Sequence, residues 1–320
     1  MDNILVTGGA GYIGSHVCKE LAIEGFNPIT YDNLSNGNLS SVKWGPFEKG
    51  DILNTSRLRS LFKKYKPLAV MHFAALADVS ESFKNPLKFY KNNIFGSQNI
   101  LDLMIQEDMN YFIFSSTCAV YGISKNKMIN EKNPLIPVSP YGVSKLVIEE
   151  TLKQPKYANK IKSISLRYFN ASGADPDGEI GESHFPENHL IPKVIEVSRG
   201  LSDYLNIYGN DYKTSDGTCI RDYVHVKDIA KAHILSLYFL LKFKQSDIFN
   251  LGTGLGFSVK EIIKEVEKQS GEKIKIKINK KRNGDQPILI ANADKAKRIL
   301  KWEPEYSSIG QIIKSALSWG

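Results

Sequence analysis

The stretch that decides the fold is Ile4-Leu5-Val6-Thr7-Gly8-Gly9-Ala10-Gly11-Tyr12-Ile13-Gly14, near the start of the chain. Its apolar residues predict a buried strand at 4–7, and a helical pattern follows at about 13–24. Glycines permit a tight turn and a close approach of the backbone to a diphosphate, while the helix N-terminus supplies N–H donors. A strand, a glycine-rich turn and a helix in this order therefore predict a dinucleotide site, although the spacing is G-x-x-G-x-x-G.

The first half of the chain continues this alternation of short apolar runs and longer helical patterns. Further strands are predicted at 28–31, 69–73, 111–115 and 163–168, and further helices at 87–106 and 141–152. The alternation predicts an α/β fold of the Rossmann type, a doubly wound parallel sheet with helices on both faces.

Past residue 170 the sequence changes character. Residues 171–188 are rich in Gly, Asp and Pro and predict a loop, and helical patterns follow at 190–199, 226–241 and 258–269. We therefore expect a cofactor-binding domain over 1–170 and a smaller C-terminal α/β substrate domain over 171–320. Segments around 219–252 are expected to return to the cofactor domain.

The bulk composition is that of an ordinary globular protein of 320 residues with a formal charge of +8. The excess charge suggests either a nucleic-acid or membrane surface or a solvated lysine-rich face. We favour the solvated face, because no basic block carries a nucleic-acid motif. The Lys-Ile alternation at 273–282 predicts a half-buried strand with a lysine face.

Cysteines and histidines point to no metal site or disulfide. Cys18, Cys118 and Cys219 stand apart, and no histidine has metal spacing to a partner. The N-terminus lacks a secretory pattern, and the longest apolar run, 234–241, is too short to span a bilayer. We expect a cytoplasmic protein that binds neither nucleic acid nor a membrane.

Asp32 closes the second predicted strand, 18 residues beyond Gly14. A carboxylate there accepts hydrogen bonds from the adenosine ribose hydroxyls and repels a 2′-phosphate, so NAD is expected rather than NADP. The alternative is that Asp32 only begins an Asx turn with Asn33.

Ser139-Pro140-Tyr141-Gly142-Val143-Ser144-Lys145 is the second informative stretch. Ser139 and Pro140 predict a helix start, which places Tyr141 and Lys145 on one helical face. A nearby ammonium and a positive nicotinamide ring would lower the pKa of the phenol and let it act as a base. Thr117 follows the strand at 111–115, at the edge where α/β sheets bind ligands.

These motifs, in this order, resemble the UDP-sugar 4-epimerases of the extended short-chain dehydrogenase/reductase family. The similarity covers nearly the whole chain, in the segments 7–16, 72–75, 139–145, 167–170, 221–226, 284–285 and 300–302.

The resemblance implies a role for each matching residue. Tyr141, Lys145 and Thr117 would be catalytic. NAD would be contacted by Gly8, Gly11, Tyr12, Ile13, Gly14, Asp32, Asn33, Leu34, Ser35, Asn36, Asp51, Ile52, Phe73, Ala74, Ala75, Asn92, Tyr141, Lys145 and Phe169. The UDP-sugar would be contacted by Thr117, Asn170, His189, Leu190, Tyr208, Arg221, Arg282, Asp285 and Leu289.

The resemblance also implies a redox-neutral reaction that interconverts UDP-glucose and UDP-galactose through a transient 4-keto sugar. His189 replaces an Asn found in some members. Leu289 replaces a Tyr found in others, which leaves the N-acetylated sugars open.

The rival interpretations are weaker. A nucleotide-sugar 4,6-dehydratase needs an acid pair after Thr117, where this chain has Cys118 and Ala119. A non-catalytic NAD-binding protein would be expected to lose Tyr141 or Lys145.

The resemblance further suggests a homodimer built on the helices at 87–106 and 141–152. The apolar stripes of these helices could equally belong to the core.

Overall fold

The protein is described by a computed structural model that covers residues 1–124, 126–184, 186–282 and 285–319. Its strands are β1 (Asn3–Thr7), β2 (Asn27–Asp32), β3 (Phe47–Lys49), β4 (Ala69–His72), β5 (Tyr111–Thr117), β6 (Met128–Ile129), β7 (Lys162–Tyr168), β8 (Asn170–Ser172), β9 (Leu205–Tyr208), β10 (Ile220–Arg221), β11 (Tyr223–His225), β12 (Asp247–Leu251), β13 (Phe257–Ser258), β14 (Ile276–Asn279) and β15 (Ile288–Ala291). Its helices are α1 (Tyr12–Ile23), α2 (Thr55–Tyr65), α3 (Val79–Lys84), α4 (Pro86–Phe89), α5 (Gly96–Gln106), α6 (Pro140–Lys153), α7 (Pro155–Ala158), α8 (Leu190–Ser198), α9 (Val226–Phe243), α10 (Val259–Ser270), α11 (Asp294–Leu300) and α12 (Ile309–Ser318).

Seven parallel strands form the main sheet in the order β12-β7-β5-β4-β1-β2-β3. This arrangement confirms the predicted Rossmann-type fold. The strand order reverses at β1, where Leu5 pairs with Ile29 of β2 on one side and with Val70 of β4 on the other. Ligands of such sheets bind in the crevice outside the carboxyl ends of the strands at this reversal.

Both faces of the main sheet are covered, because successive side chains of a strand point to opposite faces. Ile4 and Val6 of β1 join a core with Leu21 of α1 and Leu237 of α9. Leu5 joins a separate core on the other face, made with α2, α5 and α6. Strands buried on both faces read as continuous apolar runs, which explains why the sequence located them well.

The C-terminal half adds smaller sheets and a third core. The smaller sheets are β13-β10-β15-β6, β11-β8 and β14-β9. The third core gathers Ile191 of α8, Ile207 of β9, Ile262 of α10 and Ile312 of α12. Residues 226–251 nevertheless pack on the main sheet, since α9 contacts α1 and β12 pairs with β7. The domain limits given above stay a prediction.

Two of the predicted elements differ from the structure. The helix expected at 87–106 is divided by a wider helical turn at Tyr90–Phe95 between α4 and α5. The strand expected at 273–282 is only β14, and its half-buried character is wrong, since Ile276 is 46% and Ile278 is 50% exposed. β14 pairs with β9 in a two-stranded sheet, and both isoleucines lie at the surface. Within the described residues, every helix is too short or too polar to cross a membrane.

Candidate active site

The glycine-rich turn connects β1 to α1 in a conformation that side chains would obstruct. Gly8 has φ +74, and a Cβ on it would lie 2.5 Å from the backbone nitrogen of Ala74. A Cβ on Gly14 would lie 2.2 Å from the carbonyl oxygen of Gly8. Helix α1 therefore packs directly on the turn, and its N-cap residue, Gly11, has no side chain to occupy the first N–H groups of the helix. These N–H groups form the anion-binding end that the sequence predicts.

Asp32 lies at the end of β2 with only 8% of its surface exposed. One carboxylate oxygen accepts a hydrogen bond from the Ala10 nitrogen at 3.1 Å, and the other accepts from the Leu34 nitrogen at 2.8 Å. The turn considered as an alternative is thus present, with Leu34 as its donor. Each oxygen keeps a further lone pair, so the turn and a bond to a ribose hydroxyl are compatible. Burial raises the pKa of this carboxyl.

The segments after β2 and β3 meet beside this aspartate. Asn33 donates from Nδ2 to a carboxylate oxygen of Asp51 at 3.0 Å, and the other Asp51 oxygen accepts from the backbone of Leu53. Asn33, Ser35 and Asn36 are exposed here. Ile52 is buried, and a Cβ on Gly96 would lie 2.3 Å from it.

The other predicted cofactor residues follow further strands of the main sheet or face it from helices. The backbone nitrogens of Phe73 and Ala74 both donate to the Thr7 carbonyl, and the turn continues into Ala75. Phe169 is 7% exposed directly after β7. The rest lie on helices: Ile13 packs on the core beside β1, the Tyr12 hydroxyl donates to the Gly173 carbonyl, and Asn92 donates to Asn93. Most predicted cofactor contacts therefore lie along the carboxyl edge of the sheet.

The three predicted catalytic residues come together at the end of β5. Helix α6 begins where Ser139 accepts a hydrogen bond from the Gly142 nitrogen, and one turn separates Tyr141 from Lys145. The Lys145 ammonium donates to the Ser115 carbonyl at 2.7 Å and lies 6.0 Å from the centre of the Tyr141 ring. The Thr117 side chain lies close enough to the Tyr141 hydroxyl to lower the pKa of that phenol, against the larger effect of burial. Tertiary structure thus joins a helix pair to a strand end more than twenty residues away in sequence.

Burial controls the ionisation of this group. It raises the pKa of Tyr141 to about 12, although the hydrogen bond from Thr117 opposes the rise. Burial also lowers the pKa of Lys145 to about 7. The lowering of the phenol pKa that the sequence predicts depends on the positive nicotinamide ring as well as on Lys145, and it stays a prediction. A lowering must come from further positive charge at the site.

The predicted substrate residues form two local groups. In one, Arg221 lies 3.5 Å from the carboxylate of Asp285, donates to the backbone of Gln286 and pairs in register with Leu289. In the other, the Arg282 guanidinium lies 3.9 Å above the centre of the Tyr208 ring. The two arginines expected to hold one diphosphate thus make different local contacts.

The remaining predicted substrate residues lie between β8 and α8. Asn170 donates from Nδ2 to the Asp222 carbonyl at 2.7 Å. The largely exposed His189 precedes the first turn of α8, which Leu190 begins. Gly284, part of the resembling tail, lies outside the described residues.

Several buried polar residues that support the site were not predicted. Arg167 and Glu149 form a fully buried bidentate pair, with the Arg167 Nε 2.9 Å from a Glu149 oxygen. Asn93 bonds both the backbone of Leu76 and the Ser144 hydroxyl. Asp222 accepts from Thr253, Gly254 and Ala291. The sequence could have indicated such residues, because a charged residue inside an apolar strand or on an apolar helix face needs a partner when it is buried.

Comparisons with known proteins agree with this geometry. Residues 5–315 match the family model described as GDP-mannose 4,6 dehydratase. A UDP-glucose 4-epimerase of Rhizobium leguminosarum bv. trifolii is 44% identical over 318 residues, which is 99% of this chain and 97% of the relative.

Two solved structures are similarly close. A UDP-glucose 4-epimerase from Brucella ovis, in complex with NAD, has a TM-score of 0.96 and 45% identity over 99% of this chain and 98% of that one. One from Bifidobacterium longum, in complex with NAD+ and UDP, has a TM-score of 0.93 and 35% identity over 99% of this chain and 97% of that one. With identity, coverage and fold in agreement, the chain belongs to the UDP-glucose 4-epimerase family of the extended short-chain dehydrogenases/reductases.

Proposed function

We propose that this protein is an NAD-dependent UDP-sugar 4-epimerase that interconverts UDP-glucose and UDP-galactose through a transient 4-keto sugar. The observation that carries the proposal is the meeting of Thr117, Tyr141 and Lys145 at the carboxyl end of β5. This group lies two strands from the glycine-rich turn that ends β1, on the same edge of the sheet.

The residues present fit a bound dinucleotide. The turn at Gly8 has no room for a Cβ, because the backbone of Phe73 and Ala74 packs against it, and a glycine there fits the tight turn of a dinucleotide site. Asp32 at the end of β2 is in place for a ribose, and its charge disfavours a 2′-phosphate. When bound, the nicotinamide ring supplies the acceptor and then the donor of the hydride at C4 of the sugar.

Tyr141 moves the proton in this reaction. At neutral pH its phenol is protonated, since burial holds its pKa near 12. Positive charge placed nearby favours the phenolate. The oxidised cofactor would supply such charge, and Lys145 supplies it when its amine is protonated. The phenol oxygen then takes the proton of the sugar hydroxyl, which Thr117 orients by hydrogen bonding, and later returns it.

Substrate contacts would leave the sugar free to turn while its diphosphate stays held. Arg221 and Arg282 offer guanidinium groups, whose planar donors match phosphate oxygens. Leu289 is smaller than a tyrosine and only partly buried, so the sugar pocket could admit an N-acetyl group.

The local structure after Thr117 disfavours a 4,6-dehydratase. The next two residues are Cys118 and Ala119, in a short helical turn. Burial raises the pKa of the Cys118 thiol to about 12, so it stays neutral and supplies no carboxylic acid for elimination. Although the matching family model is described as GDP-mannose 4,6 dehydratase, we do not propose dehydratase activity for this chain.

We also propose a cytoplasmic homodimer. The segment from α3 to α5 exposes large apolar side chains, with Phe83 53%, Leu87 78% and Phe95 58% exposed. Such side chains in one segment are typical of a protein–protein interface. A monomer in light scattering at working concentration would contradict this assembly.

The activity is tested by incubating the purified protein with UDP-glucose, UDP-N-acetylglucosamine or UDP-xylose without added oxidant. An epimerase yields an equilibrium mixture of C4 isomers with no net redox change. Tyr141→Phe should lower kcat by about 10²–10⁴-fold, because general acid–base catalysis contributes that much. Tyr238→Phe, which alters an exposed hydroxyl bonded to Glu24, is the matched control. Normal turnover by Tyr141→Phe would refute the assigned base.

A further inference from the structure

The loop between β8 and α8 brings two glutamates and two histidines together. The ligating atoms of Glu182, His184, Glu187 and His189 all lie within 4.8 Å of one another. One Glu182 oxygen is 3.0 Å from Nδ1 of His184 and 2.8 Å from Nδ1 of His189. A Glu187 oxygen is also 2.8 Å from the His189 Nδ1. The Nδ1 of His189 thus faces both carboxylates, and the Nδ1 of His184 faces Glu182.

The carboxylates of this cluster are buried beside the two imidazoles. The side chains of Glu182 and Glu187 are only 8% and 7% exposed. Among the described residues, neither carboxylate pairs with a lysine or an arginine, so any counter-charge within the cluster must come from the imidazoles. Buried carboxylates are normally paired with a cation or coordinate a metal.

A second cluster shows what a balanced arrangement looks like. Asp175, Asp177 and Glu179 also place their oxygens close together. The Lys19 ammonium sits among them, at 2.7, 2.6 and 2.7 Å. That group holds a lysine ammonium, whereas the group with the histidines contains neither a lysine nor an arginine in the described part of the chain.

We propose that Glu182, His184, Glu187 and His189 bind one divalent transition-metal ion of the zinc type. Two imidazole nitrogens and two carboxylate oxygens form a donor set that zinc accepts in tetrahedral geometry. With metal–ligand bonds of about 2.1 Å, tetrahedral ligand atoms lie roughly 3.4 Å apart. The imidazole–carboxylate contacts of 2.8 to 3.0 Å therefore open by about 0.5 Å, and the wider pairs, which lie within 4.8 Å, draw together. Magnesium is a poorer match because it prefers oxygen donors alone.

The position of the site indicates a structural role. The Tyr12 ring lies 6.5 Å from the His184 ring, beside the glycine-rich turn. The Ser183 carbonyl accepts from Asn38 of the loop after β2. A metal here would hold the loop against the cofactor side of the sheet and brace the start of α8.

The inference is tested with protein purified without a histidine tag and treated with a chelator. Isothermal titration with Zn²⁺ should show one equivalent bound, and Zn²⁺ should raise Tm by several degrees while Mg²⁺ does not. His184→Ala and Glu187→Gln should each weaken Zn²⁺ binding at least tenfold. Glu303→Gln, which alters an exposed carboxylate elsewhere, should bind as the parent chain does.

X-ray absorption of the zinc-loaded parent chain gives an answer that does not depend on whether a variant folds. Scattering from two imidazoles would support the site. Zinc bound without imidazole, unaltered binding in His184→Ala, or no binding by the parent chain would each overturn it. Zinc binding is measured without UDP-sugar and on variants that keep His189, a predicted UDP-sugar contact, so a failure of the zinc site leaves the epimerase assay to be decided separately.

Discussion

The buried pair of Arg167 and Glu149 allows a sharp prediction. Its side chains are 1% and 0% exposed, and two hydrogen bonds of 2.9 and 2.5 Å join them. Glu149 also accepts from Ser116 on β5, and Arg167 donates to the Tyr121 hydroxyl at 2.8 Å. The pair therefore links α6 and β5, which carry Tyr141 and Thr117, to β7, which ends directly before Phe169.

We expect Glu149→Gln to lower the free energy of unfolding by about 3–5 kcal/mol. Gln keeps the shape of the side chain but leaves the guanidinium buried without a counter-charge, and breaking one half of such a pair costs that much. The adjacent Glu150→Gln is the matched control. Its carboxylate is 50% exposed and pairs with Lys153, so its loss should cost less than about 1 kcal/mol.

Urea unfolding, followed by tryptophan fluorescence and by far-ultraviolet circular dichroism, measures both variants. The double variant Glu149→Leu/Arg167→Met should be less destabilised than Glu149→Gln, because it removes both charges together. If the unfolding free energies of Glu149→Gln and Glu150→Gln differ by less than about 1 kcal/mol, the charge of the buried pair does not stabilise the fold as argued.

Three further predictions concern the site itself. Burial holds the pKa of Lys145 near 7 in the folded chain. Between about pH 7 and 10 the folded chain therefore binds fewer protons at this residue than the unfolded chain does, and the free energy of unfolding rises with pH. Lys145→Met should abolish turnover, and its urea midpoint should rise less between pH 7, 8 and 9 than the midpoint of the parent chain. An equal rise in both proteins would contradict the argument. Gly14→Ala should lose bound NAD, because its Cβ would lie 2.2 Å from the Gly8 carbonyl oxygen. Gly310→Ala in α12 is the control and should retain NAD. Absorbance after gel filtration measures the bound cofactor in both variants. Asp222→Asn should lower the free energy of unfolding in urea by about 2–4 kcal/mol, because the amide NH₂ of the asparagine would face backbone N–H donors. The same variant should weaken UDP binding in calorimetry. If neither the unfolding free energy nor UDP binding changes, Asp222 does not support the site as argued.

Many parts of the fold were readable from the sequence because they depend on local patterns. The strands 3–7 and 69–72 contain continuous apolar runs, as parallel strands buried on both faces often do. The strand 162–168 instead alternates polar and apolar residues, which is also a strand pattern. The short strands β10, β13 and β15 were not predicted. Two to four residues carry no periodicity, and their pairing depends on partners far away in sequence.

The sequence alone determined the α/β class, the glycine-rich turn before α1 and the placement of Tyr141 and Lys145 on one helical face. Each of these depends on the spacing of neighbouring residues, which the backbone geometry of a turn or a helix translates directly into position. Only the tertiary structure decided that Glu149 pairs with Arg167, that burial raises the pKa of Tyr141 and lowers that of Lys145, and that Glu182 and Glu187 share two imidazoles. Charge pairing and desolvation depend on distances through space and on what covers a group, and chain packing sets both.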